Sequence, residues 1–218
     1  MTGRGTWSRA GAAAAALGLA GCGTNQPELP PGLGVAESCV AVGYPDGPYA
    51  TEPGGAVENA CFQGWPAPAT VSHGPETLEP MALSDYYDPE GRGRVKLLLV
   101  NTAALWCSAC RIEHETLPEH YAELAPRGLE ILSALFEDNM REPADLDDLK
   151  VWVETFDTTF PIALDPSYSF GLYASAETAP LNLILETRTM TILRKFIGDQ
   201  SAVIWPYVET ELERRGSE

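Results

Sequence analysis

Apolar residues come in two rhythms along this chain. Val95-Lys96-Leu97-Leu98-Leu99-Val100 and Leu129-Glu130-Ile131-Leu132-Ser133-Ala134-Leu135-Phe136 are near-continuous runs bounded by turn residues. Runs of that length without strict alternation predict strands buried on both faces. Between them, a helical pattern follows Trp106-Cys107-Ser108-Ala109-Cys110 to about Ala125, where Pro126 and Gly128 stop it. Asp145 to Phe156 predicts a second helix, with Leu146, Leu149, Val153 and Phe156 on one face and acids in its first turn. Phe160-Pro161-Ile162-Ala163-Leu164 reads as a strand that starts at its proline. Met81–Tyr87 reads as a short strand and Tyr168–Tyr173 as a short helix. Leu181–Leu185 and Thr191–Phe196 form a hairpin around Thr187-Arg188-Thr189. A last helix, from Asp199 or Gln200, tolerates Pro206 early and buries Val203, Ile204, Tyr207, Val208 and Leu212. The order β-α-β-α-β, then β-β-α, predicts a parallel portion sandwiched by helices and an antiparallel hairpin at its end.

The first residues follow neither rhythm. Arg4 and Arg9 precede an apolar run, Ala10–Ala20, that is too short to span a bilayer. The run ends in Leu19-Ala20-Gly21-Cys22, which resembles the lipobox of bacterial lipoprotein signal peptides. The resemblance implies cleavage before Cys22 and lipidation of that cysteine. An ordinary secretory peptide is the alternative, and both export the chain. Residues 1–21 are therefore read as a signal peptide. Residues 22–34 read as a flexible tether, with three Pro and three Gly from Gly23 to Gly34. Residues 35–79 read as an N-terminal extension, and 80–218 as the main domain.

Charge narrows the partners. The 218 residues hold 14 Lys plus Arg against 31 acids, a formal charge of −17. Removing residues 1–21 takes away two Arg and no acid, leaving 12 against 31, or −19. A nucleic-acid binder needs a basic footprint, and this chain has the opposite. Anionic lipid would repel it as well, so membrane contact is expected through the N-terminal lipid only.

The five cysteines divide by position. Cys22 is assigned to lipid, and Cys107 and Cys110 form a C-x-x-C. Cys39 and Cys61 remain. In an oxidising compartment an even remainder predicts a structural disulfide. A bridge closing about twenty residues contributes about 3 kcal/mol, in a segment whose Gly and Pro leave it little core. A second redox pair, or a metal site with His73, is the sharper alternative. The C-x-x-C has no second C-x-x-C to complete a zinc site. It lies at a strand-to-helix junction, the redox context. There Cys107 meets unpaired N–H groups that stabilise a thiolate. Cys110, one turn on, can attack a mixed disulfide formed on Cys107.

Leu97-Leu98-Leu99-Val100-Asn101, followed by Trp106-Cys107-Ser108-Ala109-Cys110-Arg111-Ile112-Glu113, resembles the TlpA/ResA-like thiol–disulfide oxidoreductases of bacterial envelopes. The resemblance covers about residues 80–215. It implies an α/β, thioredoxin-like fold: a central mixed sheet flanked by helices, here with a Gly/Pro-rich N-terminal extension. It also implies Cys107 as the exposed nucleophile, Cys110 as the resolving thiol, and Ala179-Pro180 as a cis-proline loop facing them. No cofactor beyond the redox-active disulfide is implied. The partners implied are protein thiols and disulfides and an upstream envelope redox partner, and the location is the cell envelope. One departure is Glu115, where the family usually has proline. The helix's proline is Pro118, so the kink should move with it.

Glu113 is singled out by the helix itself. At 100° per residue it falls inside the face formed by Ala109, Ile112, Thr116, Leu117 and Leu124. An acid turned inward has a raised pKa, and one turn from Cys110 it can carry the proton of thiol exchange. An acid at this position has that role in the resembled family. Thioredoxin has an aspartate six residues before its first cysteine; here Asn101 stands there and cannot titrate. Trp106 is expected to shield the disulfide and His120 to be half-buried and satisfied. Rival readings are a thiol peroxidase, a copper metallochaperone and a binding module with a vestigial dithiol. Peroxiredoxins place Thr or Ser three residues before their reactive cysteine, where this chain has Ala104. Copper carriers of this fold use C-x-x-x-C and a distal His, and no His follows His120.

Overall fold

The computed structural model describes residues 43–216, together with Met1. Its strands are β1 (Cys61–Trp65), β2 (Glu79–Ala82), β3 (Leu97–Ala104), β4 (Leu129–Glu137), β5 (Ile162–Leu164), β6 (Leu181–Glu186) and β7 (Thr191–Ile197). Its α-helices are α1 (Ser108–His114), α2 (Leu117–Leu124), α3 (Leu146–Phe156) and α4 (Ser201–Gly216). All seven strands form one sheet in the order β2-β1-β5-β4-β3-β6-β7. β3 is parallel to β4, and β4 to β5. β6 and β7 add antiparallel on one flank, β1 and β2 on the other.

The sheet is covered on both faces because alternate residues of a strand point to opposite sides. Leu97 and Leu99 of β3 join Ile131 of β4, Leu117 and Leu124 of α2, and Ile204, Val208 and Leu212 of α4. Leu98 and Val100 join Leu132 and Ala134 on the other side, where the cover is Tyr44, Val57, Phe62, Met81 and Phe170. Every residue of β3 is buried, so its continuous apolar run reflects two dry faces.

The sheet does not respect a boundary at residue 80. β1, inside the expected extension, pairs with β5 through Gln63↔Leu164, Gly64↔Ala163 and Trp65↔Ile162. Gly64 makes this seam: a Cβ there would stand 2.2 Å from the Ile162 carbonyl oxygen and 2.6 Å from the Ala163 Cα. The segment's apolar residues are too scattered among Gly and Pro to show a period, so its place in the sheet was not readable.

Other elements differ in detail. The strand expected over Met81–Tyr87 ends at Ala82 and passes into a 3₁₀ turn, Leu83–Tyr86. The Asp85 carboxylate accepts the Ala82 N–H there at 2.8 Å. The short helix at Tyr168–Tyr173 is a 3₁₀ turn, Ser169–Leu172, held by Asp165, which accepts the Ser169 N–H and hydroxyl, each at 2.8 Å. α3 begins at Asp145, whose side chain accepts the N–H groups of Asp147 and Asp148, a cap worth about 1 kcal/mol. The helix after the C-x-x-C breaks between His114 and Leu117. Pro118 sits in the first turn of α2, where its missing N–H costs nothing and its ring would clash with a continued helix. In α4, Val203 is 52% exposed and Trp205 is buried in its place, since Ile204, Val208 and Leu212 set the inward face.

Candidate active site

β3 ends at Ala104, and the chain turns through Leu105 and Trp106 into α1. Cys107 is the residue before that helix, with extended backbone angles, and its Sγ accepts the Cys110 N–H at 3.1 Å. The same N–H faces a Cys107 thiolate when the pair is reduced, and a hydrogen bond to the charged form favours it. Cys107 and Cys110 are joined as a disulfide, with Cα atoms 5.3 Å apart.

Cys110 is fully buried and Cys107 is 3% exposed. The expected exposed nucleophile is thus corrected: Cys107 lies within an apolar cluster with Leu105 and Cys110, against which Trp106, Ala109 and Ala179 pack. The Trp106 indole donates to Glu137 Oε2 at 2.7 Å, and the Arg141 guanidinium lies 3.9 Å from its ring centroid. These contacts hold the ring beside the cysteines from one side. The Ala179–Pro180 peptide is cis. The loop is tied down by the Gly198 N–H donating to the Pro180 carbonyl at 2.7 Å, and by the Leu181 N–H donating to Thr102 Oγ1 at 3.1 Å.

Beneath Cys110 lies a polar patch inside the protein. Glu113 is 1% exposed. Its Oε2 accepts from Asn101 Nδ2 at 2.6 Å and its Oε1 from Asn182 Nδ2 at 2.9 Å. Asn101 Nδ2 also donates to Asn182 Oδ1 at 2.9 Å, and Ser133 Oγ donates to Asn101 Oδ1 at 3.2 Å. Burial pushes the Glu113 carboxyl up to about 7, against the opposing pull of the two amides. Asn101 cannot titrate, but it is one of the two groups that hold the acid.

The inward face drawn for this helix is right for Glu113, Leu117 and Leu124 and wrong for Thr116 and Ile112, both exposed. The break after His114 changes the phase. Sequence reasoning gives His114 no role. It is fully buried, with Nδ1 3.0 Å from the Cys110 carbonyl and Nε2 3.0 Å from Ser133 Oγ. The signal lay in polar residues that interrupt buried runs: Asn101 after four apolar residues, Ser133 within β4, Asn182 within β6. His120 is half-buried and stacks on Trp205 with centroids 3.9 Å apart.

The remaining assignments lie elsewhere. Cys22 and Cys39 are outside the described residues. Cys61 is disulfide-bonded. His73 is 3.1 Å from the Pro68 carbonyl and packs on Trp65. Among the described residues no three His, Cys, Asp or Glu side chains converge as metal ligands, and no helix is long and apolar enough to cross a membrane. A cleft of about 370 Å³ opens between Glu58–Gln63 and Leu164–Tyr173 and includes neither Cys107 nor Cys110.

Comparison with known proteins places these features. A thiol:disulfide interchange protein DsbE of Tatumella citrea is 28% identical over 111 residues, covering 50% of this chain and 54% of that protein. The chain thus spans about half the length of that curated relative. The crystal structure described as a thiol:disulfide interchange protein DsbE of Chlorobium tepidum superposes with a TM-score of 0.56 at 14% identity, over 75% of this chain and 99% of that one. The thioredoxin domain of a thiol-disulfide oxidoreductase of Bacteroides vulgatus does so with a TM-score of 0.52 at 16% identity, over 73% and 97%. The fold is thioredoxin-like, with its central mixed sheet flanked by helices. The AhpC/TSA family model matches residues 66–194, from β1's end to the middle of β7 and across the whole dithiol site, and the chain belongs to the AhpC/TSA family.

Proposed function

We propose that the protein is an extracytoplasmic thiol–disulfide oxidoreductase that exchanges the Cys107–Cys110 pair with protein clients. The observation that carries the reading is a closed Cys107–Cys110 disulfide at a helix start, with an uncompensated acid, Glu113, one turn below the inner sulfur. In the reducing direction the Cys107 thiolate attacks a client disulfide, forming one S–S bond and expelling a client thiolate. Glu113 takes the proton of Cys110, whose thiolate attacks Cys107 Sγ. The internal disulfide reforms, the second client thiolate leaves, and two electrons have passed to the client. An upstream dithiol restores them by the same steps in reverse. Trp106 shields the sulfurs from water, and the Pro180 loop faces the client backbone. Because Cys107 keeps only a sliver of exposed surface, the client must approach along one line.

The DsbE relatives support a place in the cell envelope, and the Cys22 lipobox supports a lipid tether there, with Cys39 the partner assigned to Cys61. A peroxidase reading is disfavoured because Ala104 puts a methyl group where that chemistry uses a hydroxyl. Trapping tests the reading. Cys110→Ser should accumulate client adducts that dithiothreitol releases and that disappear in the Cys107→Ser, Cys110→Ser double variant. Absence of adducts, with rapid peroxide turnover by the intact protein, would overturn it.

A further inference from the structure

The side chains below Cys110 continue past Glu113 to a histidine with no counter-ion. We propose that His114 is a positioning residue: through the Ser133 hydroxyl it lets Asn101 turn either edge of its amide to Glu113, so the carboxyl is held equally well with or without a proton. The inference rests on the reading of the site given above and deepens it.

The donors and acceptors can be counted. The Cys110 carbonyl only accepts, so His114 Nδ1 carries a hydrogen. The ring is fully buried among Trp152, Phe156 and Phe160. With no carboxylate against it the ring is neutral, and Nε2 is then an acceptor. Burial accordingly holds its pKa down to about 4. Ser133 has one hydroxyl proton and two claimants for it, Asn101 Oδ1 at 3.2 Å and His114 Nε2 at 3.0 Å.

With Glu113 ionised, Asn101 donates to Glu113 and Asn182, Asn182 donates to Glu113, and Ser133 donates to Asn101. His114 Nε2 and Ser133 Oγ then face each other with no proton between them. When Glu113 gains a proton it needs an acceptor, and both amides present N–H. Turning Asn101 supplies Oδ1 to the acid and Nδ2 to Ser133 Oγ, and the Ser133 proton swings to His114 Nε2. The bond from Asn182 to Glu113 survives, and the bond between the amides is lost. Each state makes four bonds among these five side chains. Without His114 the protonated state makes three, so the acid would favour its charge.

Few other charges face the pair. Asp199, ahead of α4, opposes the charge on Glu113. Arg111 of α1 lies over the Trp152 and Phe156 rings, with its guanidinium carbon 5.6 and 5.5 Å from their centroids. β3, β4 and β6 hydrogen-bond the pair through Asn101, Ser133 and Asn182, and α3 packs Trp152 and Phe156 on His114. Cys110 is the thiol nearest in the chain, one turn from both residues.

The test is the titration of the Glu113 carboxyl by ¹³C NMR in the full chain with its disulfide closed. His114→Phe should lower the midpoint by roughly one pH unit, about tenfold in the proton equilibrium, as the loss of one hydrogen bond requires. In a Ser133→Ala background the same change should leave the midpoint where it is. An equal shift in both backgrounds would assign His114 to packing alone, and no shift in either would also overturn the proposal. In the unaltered protein, the His114 Nε2 ¹⁵N signal should step at the Glu113 midpoint while staying unprotonated; a flat signal would overturn the proposal if the variants fail to fold. Client trapping by Cys110→Ser is read separately. Its failure beside a successful titration would reject the oxidoreductase reading and leave the hydrogen-bond exchange standing.

Discussion

The two ends of β6 hold acids in opposite ways. At one end Asn182 and Asn101 hold Glu113, with only amide groups for company. At the other, Glu186 Oε1 lies 2.9 Å from the guanidinium of Arg215, which also binds Glu211. Burial pushes Glu113 up. The Thr189 hydroxyl and Arg215 together overcome burial for Glu186, as Arg215 and Arg214 do for Glu211, and both stay below the usual carboxylate range. Amides solvate a carboxylate without cancelling its charge, so the group stays poised to gain a proton. A guanidinium cancels the charge, and the group is locked. One strand thus has a chemical end and a structural end.

Breaking the structural end should cost most. Arg215→Met keeps the stem's packing but leaves Glu186 without its cation and Glu211 with Arg214 alone, and should destabilise the protein by about 2 kcal/mol at pH 7. Urea denaturation checks this, and an effect within 0.5 kcal/mol, on the order of an ordinary surface change, would refute the contrast. At the chemical end, Glu113→Gln keeps the shape and removes the proton carrier. It should slow closure of the Cys107–Cys110 disulfide, the step that releases a bound client, roughly a hundredfold near neutral pH. Stopped-flow Trp106 fluorescence would follow that step, and an unchanged rate would show that Glu113 carries no proton.

The smallest effect is a slope. Glu113 titrates at about 7 in the fold against an ordinary 4.5, so it stabilises at low pH, and that contribution is lost as pH rises through this window. His114, held down to about 4 from an ordinary 6.5, contributes stability above 6.5 that is lost as pH falls toward 4. Between pH 5 and 6 the two nearly offset each other. His114→Phe removes one side of that balance. Its stability should therefore fall behind the parent by roughly 1 kcal/mol per pH unit near pH 5, and by less toward pH 6, where the variant's Glu113 already titrates. Parallel denaturation curves for the two proteins would contradict it.

The parts of the molecule that could be read in advance are those where one rhythm dominates. β3, β4 and the hairpin β6–β7 announce themselves by apolar runs, and the Trp-Cys-x-x-Cys with Glu113 marks the site. β1 could not be read, because its inward residues are Phe62 and Trp65 around a glycine whose reason is the β5 backbone, far away in sequence. His114 was missed for a similar reason. On the face drawn for one continuous helix His114 falls to one side, and only α1 taken alone turns Cys110, Glu113 and His114 inward together. Ser133 and Asn182 sit in runs otherwise apolar, and their partners come from separate strands. Such polar residues matter when the fold brings them together, which no local pattern encodes.

β5 is only three residues long, and β1 lies along its open flank through the seam at Gly64. Any side chain at that glycine would pry β1 away and leave the β5 carbonyls and N–H groups facing water in a row. An unguarded sheet border of this kind invites another chain to pair with it. The missing side chain at Gly64 therefore protects the protein against self-association, at a point remote from its sulfur chemistry.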